Sequence, residues 1–228
     1  MTATAMISTR NLQQLPDIPT LKSLTQSLAM LDAAMMPEWQ YRYYSFNAQW
    51  ANGEQMASMS TGSGDGWFCL FNSVGAALKG FDHEAVMTPW GNDDRALWKG
   101  VLDSVPPIFA SFLNEPAFSM ADTTFCIWRA QGDTVWHVGD IDFPGEPEED
   151  PDGSAWMLSL LDGNPASYKD WAEEYYERPV SLSAIQRIYR HEPLSDALAK
   201  ELNLETNWEQ LVADATQIGY PVAQVKVN

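Results

Sequence analysis

A chain of 228 residues that is 45% hydrophobic, with ten tryptophans, nine phenylalanines and eight tyrosines, has the length and apolar content for one well-filled core. Thirteen basic residues against thirty-one acidic ones give a net charge of −18, which repels nucleic acid and anionic lipid headgroups and attracts cationic partners. The excess is uneven, since residues 1–132 carry 12 acids and 7 bases (−5) and residues 133–228 carry 19 acids and 6 bases (−13).

The segment Met1 to Arg10 has neither a basic n-region nor an apolar h-region, and no apolar run approaches the roughly 20 residues that span a bilayer. A cytoplasmic protein without a membrane segment is expected. Leu21, Leu24, Leu28, Leu31 and Met35 recur at helical spacing and predict a helix over Thr20–Met36, ended by Pro37. An aromatic-rich strand over Trp39–Phe46 follows, with Gln55–Ser60 as its partner. Gly62, Gly64 and Gly66 then turn the chain into Trp67–Phe71, and Asn72-Ser73 separates that strand from Val74–Gly80. Trp67, Cys69 and Phe71 alternate with Phe68 and Leu70, so both faces of this strand are apolar, as a central strand requires. Arg95–Asp103 reads as helical or irregular, and Ile108–Leu113 follows Pro106 and Pro107. Thr123–Ala130 and Thr134–Gly139 form a hairpin across Gln131-Gly132-Asp133.

Residues 140–154, rich in Pro, Gly and acids and without a base, are the best boundary between a β-rich part (1–139) and a helical part (155–228) of one domain. Beyond them the patterns are helical: Asn164-Pro165 opens a helix carrying Tyr168, Trp171, Ala172 and Tyr175, then come Ser181–Arg190, Ser195–Leu202 and a last helix from Asn207 to Gly219. The expected class is α+β, a meander-like antiparallel sheet with an N-terminal helix and a helical C-terminal region.

The motifs for common chemistries are incomplete. His83-Glu84 and His191-Glu192 lack the second histidine four residues on, since Met87 and Ser195 stand there. In the acidic loop Asp140 and Asp142 fit the first positions of a calcium loop, but Pro144 and Pro151 stand where oxygen ligands belong. Gly62-Ser63-Gly64-Asp65-Gly66 lacks the Lys-Ser/Thr of a phosphate loop and reads as a hairpin turn. Cys69 and Cys126 fall in apolar strands, where a cysteine packs as a small inert hydrophobe. No metal and no cofactor is expected. The cluster that retains functional interest is Lys79, Asp82, His83 and Glu84 at the end of a strand, where loops often carry function. The structural alternative is that His83 donates to a neighbouring carbonyl or acid.

Pro37-Glu38-Trp39, Tyr41–Asn47, Met56–Met59, Gly62–Asp65 and Gly80–Glu84 resemble a family of bacterial proteins of no established activity. Leu161–Pro165, Trp171-Ala172-Glu173 and Tyr175-Tyr176 extend the resemblance across most of residues 37–220. More faintly, the acidic α+β pattern with its LDG…W…Y stretch is similar to toxin-immunity proteins of the yeast cell-wall synthesis regulator superfamily. That likeness implies a non-enzymatic immunity or antitoxin protein that neutralises a basic toxin. Charge places the partner-binding residues at Asp140, Asp142, Glu146, Glu148, Glu149, Asp150 and Asp152. The alternatives are a hydrolase-like enzyme with its site near Asp82-His83-Glu84 and a housekeeping interaction module.

Overall fold

Asp17 accepts a hydrogen bond from the Thr20 N–H at 3.0 Å and opens helix α1, Ile18–Met35, with a proline in its first turn. Its expected stripe is buried, and so is nearly every residue from Leu24 to Met35, because the sheet and the C-terminal helices enclose it. The computed structural model describes residues 6–91 and 93–224. Among these residues, six strands follow one another as an antiparallel meander: β1 Tyr44–Ala51, β2 Glu54–Ser60, β3 Gly66–Asn72, β4 Gly75–Phe81, β5 Phe125–Ala130 and β6 His137–Val138. Helix α2, Ala110–Leu113, lies in the long connection between β4 and β5. After the sheet come α3 Ser154–Met157, α4 Pro165–Tyr175, α5 Leu182–Tyr189, α6 Asp196–Leu202 and α7 Trp208–Ile218. Side chains of Asn164, Ser181, Ser195 and Asn207 cap the last four, and Gly219 at φ +74° ends α7. The expected α+β class holds.

Both faces of the sheet are covered, which explains the doubly apolar β3. Trp67, Cys69 and Phe71 join Tyr44, Phe46, Leu78, Phe125 and Ile127 beneath α1 and the C-terminal helices. Leu70, Ala77, Cys126 and Trp128 face the other way, against Val101, Phe109, Phe112 and Phe118 of the β4–β5 connection. The larger cluster also holds Met157, Tyr168, Ile185 and Leu211, so the chain beyond residue 154 shares its core with the sheet. The indole N–H of Trp67, a fully buried ring, donates to the Met157 carbonyl at 3.2 Å and joins β3 to α3. No helix of the described residues is long and apolar enough to cross a membrane.

Two expected strands differ. The segment Trp39–Tyr41 forms a 3-10 turn with Trp39 67% exposed, and β1 starts only at Tyr44 and runs on through polar Asn47 and Gln49. The predicted strand Thr134–Gly139 contracts to His137–Val138, because β6 pairs with β5 only at Ile127 and Trp128.

The acidic loop is tied down rather than free. The Arg10 guanidinium donates to the carbonyls of Glu146 at 2.5 Å, Glu149 at 3.0 Å and Pro144 at 3.1 Å, and stands over the Phe143 ring at 5.0 Å. Asp152, expected at a partner-facing surface, is a correction: it is 1% exposed. Its carboxylate accepts from the Thr9 hydroxyl at 2.5 Å and from the Ser154 hydroxyl and N–H at 2.7 and 3.0 Å. Asp150 is half-committed in the same way, taking the Ala155 and Trp156 N–H groups at the start of α3.

Candidate functional site

The pairing of β3 with β4 sets Gly66 opposite Phe81, and so brings the turn before β3 beside the segment that follows β4. Asp65, 9% exposed, lies there, and its Oδ1 accepts from the His83 backbone N–H at 2.8 Å and meets His83 Nδ1 at 2.6 Å. The sequence assigned Asp65 only to a turn; its role as the partner of His83 follows from strand register. Because an ionised carboxylate only accepts, the Nδ1 atom carries the proton and Nε2 is left toward solvent, 3.8 Å from Glu84. That hydrogen bond raises the His83 imidazole above its ordinary value, against a smaller opposing effect of desolvation.

Asp82 does structural work beside it. Its Oδ1 accepts the N–H groups of Glu84 at 2.9 Å and Ala85 at 3.1 Å, closing the turn, and its Oδ2 takes the Trp156 indole N–H at 2.9 Å. Gly153, at φ +76°, makes this approach possible, since a Cβ there would collide with the Asp82 carboxylate. Thr124 links the elements from below, donating to the Asp152 carbonyl at 2.7 Å and accepting from the Asp82 N–H at 3.3 Å.

Asp65, Asp82 and His83 offer three ligand atoms within 4.8 Å of one another, the arrangement nearest to a cation site among the described residues. Asp65 Oδ1 and both oxygens of Asp82 already accept the hydrogen bonds above, so a cation there would compete with those donors.

Lys79 belongs to a different grouping from the one expected. It lies on the sheet face of Phe68 and Cys126, and is 3% exposed. Its Nζ donates to the Asp122 carbonyl at 2.6 Å and stands 5.8 Å from the Phe68 ring centre. Burial brings its amine down to about 8. It shares a cavity with Asp65, Asp122 and Trp90, while Asp82, His83 and Glu84 lie outside that lining.

Two tryptophans that the sequence reading passed over flank the site. Trp90, 48% exposed, donates its indole N–H to Asp122 at 2.8 Å and packs on Phe81 at 5.0 Å between centroids. Trp156, 39% exposed, holds Asp82. Val86, on the chain between Asp82 and Trp90, is 70% exposed. Of the remaining expected residues, Asp140, Asp142, Glu146, Glu148 and Glu149 are exposed, and Glu84 keeps 85% of its side-chain surface. Compared with known protein families, with curated proteins and with solved structures, the chain finds no match.

Proposed function

We propose that the protein is a non-enzymatic acidic binding protein that captures a basic protein partner at the sheet end marked by Trp90 and Trp156. The observation that carries this reading is the pair of half-exposed indoles, each pinned by its N–H to a carboxylate. A large ring held in place before docking loses little conformational freedom, and tryptophan is prominent among residues that dominate interface energies. The neighbouring acids supply the sign of the partner. Glu84 borders one side, and Glu148 and Glu149 line a hollow together with Ala155 next to Trp156. An immunity or antitoxin role against a basic toxin is the most specific form, supported by the charge and by the resemblance described above.

Affinity capture from native lysate tests the reading. The wild-type chain is expected to retain a protein of basic isoelectric point, and a Trp90→Ala, Trp156→Ala variant to lose it. A neutral or acidic partner, or equal retention by both chains, overturns the proposal.

A second reading, a hydrolase-like enzyme, is favoured by one observation: the 2.6 Å contact of His83 Nδ1 with Asp65, which leaves Nε2 placed to deprotonate a water. The base must be neutral, so activity would rise with pH through a value above that of an ordinary histidine. Loss of the hydrolysis of generic ester substrates in His83→Ala, at unchanged stability, supports this reading, and an equally active variant removes it.

A further inference from the structure

The lysine that the sequence grouped with His83 opens a separate site. Lys79 projects from the middle of a paired strand into a cavity of about 370 Å³, whose aromatic walls include Phe68, Trp90 and Phe118. That volume lies within the range of about 300–1,000 Å³ common for small-molecule sites. An ammonium carries three hydrogens, and among the described residues Lys79 makes one hydrogen bond, to the Asp122 carbonyl. The strand pairing gives it no carboxylate neighbour: its cross-strand partners are Phe68 and Cys126. The amine thus stands desolvated and with hydrogens to spare at the wall of an aromatic hollow, where the Asp122 carboxylate shares the lining but lies beyond ion-pair distance of Nζ among the described residues.

We infer that this cavity binds a small uncharged carbonyl compound with a planar apolar body, and that Lys79 condenses with it to form an imine. The carbonyl oxygen accepts a hydrogen bond from Nζ, and the flat body lies among the aromatic walls. The neutral amine adds its lone pair to the carbonyl carbon, forming the C–N bond while the oxygen takes up a proton. The C–O bond then breaks, the second Nζ proton leaves with the hydroxyl as water, and the C=N bond remains. The balance is one amine and one carbonyl in, one imine and one water out. Asp122, which lines the same cavity and whose charge acts on Lys79, supplies a carboxylate for the proton transfers. Burial, which already brings the Lys79 amine down to about 8, supplies neutral nucleophile near neutral pH. Asp65 and Asp122 in the lining, together with the net charge of −18, select against anionic carbonyl compounds such as keto acids.

The test uses the intact wild-type protein with benzaldehyde as probe, reduction of any imine by cyanoborohydride, and peptide mapping of every lysine. Lys79 is expected to be labelled at least about 10-fold faster than exposed Lys99 and Lys200 at neutral pH, because far more of it is neutral there. Its rate is expected to saturate with aldehyde concentration, and glyoxylate to label it more slowly than benzaldehyde does. Lys79→Arg, which keeps the charge and a donor, is expected to lose the saturable labelling. Labelling of Lys79 no faster than of the exposed lysines, or a rate linear in aldehyde throughout, overturns the inference without need of any variant.

Discussion

Asp32 is fully buried in the middle of α1 and is held by donors rather than by a cation. The N–H groups of Tyr43 and Tyr44 reach it at 2.9 and 2.7 Å, and the Tyr168 hydroxyl at 2.8 Å. Burial nevertheless dominates and raises its carboxyl from 3.8 to about 6. The folded state thus keeps a proton over a pH range in which the unfolded chain has lost it. Stability contributed by that proton is complete below about 3.8 and is lost as pH rises through about 6, a change on the order of 3 kcal/mol. In Asp32→Asn the amide oxygen still accepts from the backbone and the NH₂ meets Tyr168. The variant is expected to be more stable than the wild type near neutral pH and to lose that advantage at about pH 4, as read from urea midpoints at the two pH values. A constant difference between the two chains across that range would contradict the account. Cys69 and Cys126, both wholly buried, give a second prediction at this scale. Burial raises both thiols, Cys126 to about 12, so a thiol reagent is expected to label them only on unfolding. Rapid labelling of the native protein would show that the sheet opens at β3 or β5.

Among the elements, the acidic strap from residue 140 to 154 behaves differently from its composition. Asp152 serves Thr9 and Ser154, while Arg10 holds three strap carbonyls. Asp152→Ala would strand these donors in the interior and is expected to cost about 3 kcal/mol, whereas Glu148→Ala, on the exposed stretch, should stay within about 0.5 kcal/mol. Urea denaturation of the two variants side by side checks the contrast. The strap was misjudged because its anchors lie some 140 positions away in sequence, beyond the reach of any local pattern. The central strand was legible for the opposite reason: Trp67 to Phe71 is apolar at every position, and only a strand covered on both faces uses that pattern. The aromatic run from Trp39 misled, since aromatic residues suit a strand equally well as they suit a 3-10 turn leading into one. The candidate site was half legible. Residues 82–84 stood out by type, but Asp65 needed the register that sets Gly66 against Phe81. Trp90 and Trp156 drew no reading from the sequence, since neither falls in an expected strand or helical stripe. Lys79 was placed with its sequence neighbours, whereas its side chain enters a cavity with Phe68, Trp90 and Asp122 whose lining leaves out residues 82–84.

For the whole molecule the charge of −18 is the property that reaches furthest, and its concentration of −13 in residues 133–228 gives it direction. Among the described residues, the ion pairs formed are few and leave Glu146, Glu148 and Glu149 without a base within 4.0 Å. These three are exposed on the strap, close to the hollow beside Trp156, and their field adds to that of the helices behind them. The proposed basic partner would be accelerated toward this side before contact, and salt would shorten the reach of that attraction to about 8 Å at physiological ionic strength. Replacing Glu146, Glu148 and Glu149 by glutamine is expected to slow association about 3- to 10-fold at low salt and to have little effect at high salt. Asp150 is left in place because its carboxylate holds the first N–H groups of α3, and altering it would confuse loss of charge with loss of structure. Dissociation should scarcely change, since rim charges act mainly on encounter, whereas Trp90→Ala should speed dissociation by removing buried contact area. Rates measured at two salt concentrations for the wild type and both variants separate the two effects. An association rate indifferent to salt would remove electrostatic capture, and a Trp90→Ala complex as long-lived as the wild type would move the docking surface away from this end of the sheet.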